Sequence, residues 1–142
     1  MKMIPNKERI KLWLDALVSG EFGQGTGFLR QGPNEYCCLG VACVVANRNG
    51  GPYDGRIDDV RNGGHPRFKT NEWYGVALSG VNFTRKELGI GDDHPRLENE
   101  GDLIGAISLN DGAKWSFRQI AEAFAKKFDI EITYPEVSNV EA

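Results

Sequence analysis

Histidine occurs twice and cysteine three times in 142 residues, and no apolar run is long. The longest lies within residues 37–46. It falls far short of the roughly 20 residues a membrane helix needs, so no membrane partner is expected. Pro5, Asn6, Lys7 and Glu8 interrupt the start, and no secretory leader is expected there. The cysteines stand at 37, 38 and 43. An odd, crowded set makes no disulfide framework and fits a reducing compartment, the cytoplasm. Structural zinc needs four donors in a tetrahedron. Cys-Cys-x4-Cys lacks that spacing, and His65 and His94 lie in Gly/Pro-rich stretches. No metal or other cofactor is expected, and thiols packed as small hydrophobes are the default.

Charged residues make up 26% of the chain, and Leu, Ile, Val and Phe about a quarter. That is enough apolar material for one globular domain with a real core. The net charge of −3 argues against a non-specific nucleic-acid binder. The charge is divided: residues 1–71 are basic on balance and residues 72–142 acidic. Arg30, Arg48, Arg56, Arg61, Arg67 and Lys69 form an anion-attracting patch only if the fold gathers them into a cleft.

Ile10, Trp13, Leu14, Leu17 and Val18 recur at helical spacing, which predicts a helix over 7–19. Asn6 is its cap, and Gly20 suits the left-handed position beyond its end. Glycines at 23, 25 and 27 exclude helix, and a turn leading into a strand at 26–30 is expected. A second helix is expected over 37–46. Residues 52–65 read as a polar excursion, and 71–78 as a short helix or strand. Thr84-Arg-Lys-Glu87 matches a capping box with one helical turn after it. Asp102 is expected to cap a helix running to Leu109, closed by Asn110-Asp-Gly112. Ser116 with Gln119 forms a second capping box, and Trp115 with Ile120 a hydrophobic staple. The helix that follows buries Phe117, Ile120, Ala121, Phe124 and Phe128. Ile130, Ile132 and Tyr134 alternate with polar residues, which predicts a strand. The expectation is one α+β domain over 1–135, with three or four main helices and a small antiparallel sheet. Residues 136–142 read as a polar tail.

Four blocks can then be set beside known sequences. They are Trp13-x2-Ala16-Leu17-x-Ser19-Gly20, Gln24-Gly-x-Gly27-x-Leu29-Arg30, Tyr36-Cys-Cys-Leu-Gly-Val-x-Cys43, and Leu109-Asn-Asp-Gly with Ser116-Phe-x2-Ile-Ala121. They resemble a family of small proteins common in tailed-bacteriophage and prophage genomes, over roughly residues 11–125. The resemblance implies a phage-type origin, hence a host cytoplasm and a counter-defence setting, and no particular chemistry. After Cys43 similar proteins carry an acidic residue, where Val44 stands here. No role resting on that acid is expected.

Two readings compete for the polar residues. In one, Gln24, Thr26 and Arg30 belong to a turn whose glycines allow close packing. In the other they cradle an anion: main-chain N–H groups, a Gln and a Thr donate, and Arg30 forks onto phosphate or carboxylate. No G-x-x-x-x-G-K-[ST] is present, so a P-loop is not expected. Asn110 and Asp111 serve either a turn or a base or ribose edge, with Arg118 near a helix start meeting phosphate. Trp73, and Tyr36 beside the cysteines, complete the candidate set, Trp73 as an aromatic free to stack on a base or anchor a partner. The leading expectation is a non-enzymatic binding protein that captures a small anionic, nucleotide-like ligand or blocks a host protein. The alternatives are an enzyme or a virion or assembly component. The enzyme would use Cys37 or Cys38 with His65 or His94, or Asp111 as base. Duplex nucleic acid is not expected as a partner, and self-association is left open.

Overall fold

The computed structural model describes residues 4–25, 30–32, 34–51, 68–89, 103–106 and 108–135. Helix α1 (Lys7–Val18) starts where the Asn6 Oδ1 accepts the Arg9 N–H at 3.0 Å. This satisfies one of the donors that every helix start leaves open. Three short strands follow: β1 (Gly23–Gln24), β2 (Arg30–Gly32) and β3 (Glu35–Tyr36). β3 is central, parallel to β1 and antiparallel to β2. Helix α2 (Cys38–Arg48) is buried on nearly every face, which places it inside the domain. After α3 (Phe68–Tyr74) and a 3-10 turn at Leu78–Gly80, β4 (Asn82–Thr84) leads into the single turn of α4 (Arg85–Leu88). β5 (Leu103–Gly105) pairs antiparallel with β4. A π-type turn, Ser108–Gly112, then leads to α5 (Phe117–Phe128).

α1 packs against both α2 and α5. Trp13 is the hub of that packing, with no exposed surface. Its ring meets Phe124 edge-on at 4.9 Å and lies 6.3 Å from Tyr74. Its indole N–H donates to the Cys38 carbonyl at 2.9 Å, so burial leaves no donor unmet. The Tyr74 hydroxyl does the same with the Ala42 carbonyl at 2.6 Å. Phe83, from β4, meets Phe124 edge-on at 5.0 Å.

The α+β class holds, and both capping boxes form as their sequences predict, at Thr84 with Glu87 and at Ser116 with Gln119. Three expectations are corrected. No helix runs from Asp102 to Leu109: Leu103, Ile104 and Gly105 pair with Thr84, Phe83 and Asn82 instead. The same apolar residues fit either element, and the partner strand decides. As a result Asn110 does not join two helices but stands between a strand and α5. Residues 130–134 alternate in burial, yet no strand pairs with them among the described residues. The expected strand at 26–30 falls mostly outside the described residues, with β2 beginning at Arg30. The 52–65 excursion and the tail at 136–142 lie outside them too. No described helix is long and apolar enough to cross a membrane.

Candidate functional site

Asn110 is 1% exposed, and it draws together the segments that the sequence reading singled out separately. Its Oδ1 accepts from the Gln24 side-chain amide at 2.9 Å and from the Cys38 N–H at 3.3 Å. Its Nδ2 donates to the Gly25 carbonyl at 2.9 Å. Two donors on one side and an acceptor on the other fix the orientation of the amide. Gln24 donates also to the Trp115 carbonyl at 2.7 Å. One buried side chain thereby ties the glycine-rich segment to the first N–H of α2 and to the approach to α5. Cys37, the residue before α2, offers no side-chain cap. The Asn110 carbonyl oxygen performs that task from a distance.

This geometry bears on the anion cradle. The Gly23 N–H donates to the Asn34 carbonyl and the Gly25 N–H to the Tyr36 carbonyl, each at 2.8 Å. The expectation that these amides are open to a ligand is corrected: the β1–β3 pairing uses both. A Cβ on Gly23 would meet the Asn34 oxygen at 2.7 Å, so glycine here serves close packing. Thr26 and the side chains of Arg30 and Asp111 lie outside the described residues.

The remaining candidates are dispersed. Tyr36 meets Phe22 edge-on at 5.4 Å. Trp73 is not an open aromatic, which corrects that expectation. It lies edge-on to Tyr74 and close to Gly51, and the Arg9 guanidinium covers it at 4.6 Å. Arg118 pairs with Glu122 at 3.3 Å and stacks over Tyr134 at 4.7 Å. Tyr134 donates to Glu122 at 2.7 Å, and this hydrogen bond raises its pKa above the ordinary phenol value. Of the basic patch, Arg48 bonds Glu21 at 2.6 Å over the Phe22 ring. Arg56, Arg61, Arg67 and the Arg30 and Lys69 side chains lie outside the described residues.

Cys37, Cys38 and Cys43 are all buried, and none is in a disulfide. A nucleophile must reach its substrate as a thiolate, and these side chains face the core. His65 and His94 lie outside the described residues. Among the described residues no cluster of His, Cys, Asp and Glu could hold a metal ion.

The sequence reading missed a trough between α4 and α5. Leu88, Trp115 and Ala123 form its apolar floor; Glu87, Gln119, Glu122 and Lys126 form its rim, around about 480 Å³. A smaller hollow of about 250 Å³ continues it past Phe83 and Lys127. Lys127 donates to the Asn82 carbonyl at 2.6 Å and sits 3.2 Å from Glu87. The Thr84 N–H and the Lys127 ammonium hold the Glu87 carboxyl below its ordinary pKa. Nothing within α5 marks Ala123 as part of a depression, because the other wall comes from Glu87 and Leu88 of α4.

No curated protein and no solved structure matches the chain. A family model matches residues 6–128, which span α1 through α5 and with them the Asn110 network and the trough. The chain belongs to that family, a domain of unknown function designated DUF8296.

Proposed function

We propose that this chain is a non-enzymatic binding protein that docks on another protein, in the host cytoplasm and counter-defence setting that its phage-type blocks suggest. The trough between α4 and α5 carries this reading. Its floor is apolar and its rim bears both signs of charge. A phosphate-bearing ligand asks for positive charge without internal compensation. Beside it Lys127 is paired with Glu87 and Arg118 with Glu122, and the rim's own cation, Lys126, stands among the carboxylates of Glu87 and Glu122. An apolar centre inside a rim of mixed charge suits a protein surface. The occupied amides of Gly23 and Gly25 count against anion capture at the glycine-rich segment.

Ala123→Arg fills the trough from the outer face of α5 and keeps a good helix former. The test retains proteins from a bacterial lysate on the tagged native chain and on this variant, after circular dichroism shows an unchanged fold. A protein held by the native chain and lost from Ala123→Arg supports the reading. Equal retention by both rejects the trough. Release of a phosphate-bearing molecule when the native protein is denatured, identified by mass spectrometry, restores the anion reading instead.

A further inference from the structure

Residues 130–134, Ile-Glu-Ile-Thr-Tyr, have the alternation of a strand and no strand beside them among the described residues. Ile130 and Ile132 are half-buried, whereas Glu131 and Thr133 are exposed. The main-chain contacts alternate in the same way. The Glu131 carbonyl accepts from the Lys11 ammonium at 2.9 Å, and the Thr133 N–H donates to Asp15 at 2.8 Å. The main chain at 131 and 133 therefore faces α1. Along an extended chain the N–H and C=O of one residue point to one side and those of its neighbours to the other. Those of Ile132 and Tyr134 thus point away from α1, and no described residue bonds them; on the same edge the Ile130 N–H already donates to the Ala125 carbonyl at 2.9 Å, which leaves Ile130 its carbonyl for pairing. Such an edge is a template for another chain.

We propose that this edge pairs with the same segment of a second copy, antiparallel across a two-fold axis through Ile132. The segment is complementary to itself in that register. Ile132 faces Ile132, Ile130 faces Tyr134, and Glu131, its one charge, faces the Thr133 hydroxyl. No like charges meet across the ladder. A register centred on Glu131 would set two carboxylates against each other and turn the bonded edge toward α1. The ladder is bounded at both ends. Asp129 has a left-handed backbone, with φ of 58°, and Pro135 has no N–H to donate. The opposite edge is already tied to α1, so the pairing closes as a dimer and does not propagate.

The test is sedimentation velocity on the full chain from about 10 μM to about 1 mM, the range in which a small interface reveals itself. A monomer–dimer equilibrium is expected. Ile132→Pro removes the outward N–H from both copies and weakens the dimer at least about tenfold. Because that substitution also disturbs a half-buried side chain, cross-linking supplies a second measurement. Ile132→Cys brings two thiols together at the roughly 5.5 Å Cα separation of a hydrogen-bonded pair, within disulfide reach. Under mild oxidation with diamide it gives a covalent dimer, and Glu131→Cys, which faces Thr133 of the other copy, does not. The native chain, with its thiols buried, is the blank. A monomer throughout the range, a dimer indifferent to Ile132→Pro, or equal cross-linking at both positions overturns the proposal.

Discussion

Replacing Asn110 by alanine tests the reading of that residue as a structural tie. The substitution removes three hydrogen bonds with unequal consequences. The Gln24 amide is exposed and keeps the Trp115 carbonyl, so its loss costs little. The Cys38 N–H and the Gly25 carbonyl stay buried and lose this partner. A buried group left without its partner costs about 1–3 kcal/mol, more than the roughly 1 kcal/mol net of an ordinary hydrogen bond. Asn110→Ala should therefore destabilise the domain by about 3–4 kcal/mol, a large share of the roughly 5–15 kcal/mol available to a domain of this kind. At about 3–4 °C per kcal/mol for this chain length, the melting midpoint falls by about 10–15 °C. Urea denaturation of native protein, Asn110→Ala, Gln24→Ala and the double variant measures this directly. Gln24→Ala alone should cost about 1 kcal/mol or less, with a coupling to Asn110 of at least about 0.5 kcal/mol. If Asn110→Ala stays within about 1 kcal/mol of the native chain, the tie is not structural and the residue is free for another purpose.

Two further predictions follow from the core. Tyr74 is fully buried, and burial, with a smaller contribution from Cys43, pushes its pKa well above the ordinary phenol value. The fold favours the neutral phenol, so its contribution is complete below pH about 10 and is lost as the pH rises beyond that, by at most about 1.36 kcal/mol per pH unit. Tyr74→Phe should cost about 1–1.5 kcal/mol at neutral pH and flatten the alkaline limb. Ultraviolet difference absorbance showing Tyr74 ionising near pH 10 in the folded protein would refute this. Gly75 has φ of 76°, and a Cβ there would run into the Ile4 carbonyl oxygen. Gly75→Ala should cost at least about 2 kcal/mol by chemical denaturation, and a neutral result would show that residues 4–6 can shift freely.

The parts of the fold legible in the sequence are those specified locally. α1 falls within a residue of its expected bounds and α5 starts after Ser116 as expected, because caps and apolar stripe lie inside one short window. The segment at 103–109 failed for the opposite reason. Leu103, Ile104 and Ile107 suit a helix face and a strand equally, and β4, some twenty residues earlier, settles the matter. Asn110 reads as an ordinary turn residue until Gly25 and Cys38 arrive beside it. Several described residues of the blocks that carry the phage-type resemblance serve the interior: Trp13 is the core hub, residues 38–43 are the buried start of α2, and Asn110, buried, bonds Gln24. They specify how the chain folds more than what it touches. The trough has no such block, because its floor comes from a helix turn and a helix that the sequence separates.

The Asn110 tie also orders events during synthesis. Cys38 and its acceptor are 72 residues apart, and Gln24 and the Trp115 carbonyl 91. The start of α2 leaves the ribosome long before the groups that complete it, and α1 waits as long for α5. Until then α2 has α1 and α3 beside it, but the rest of its apolar surface stays open to solvent. The core is thus completed late, when residues 110–128 arrive. A stop codon placed before residue 110 should yield no smaller domain, only chain that the cell's proteases remove.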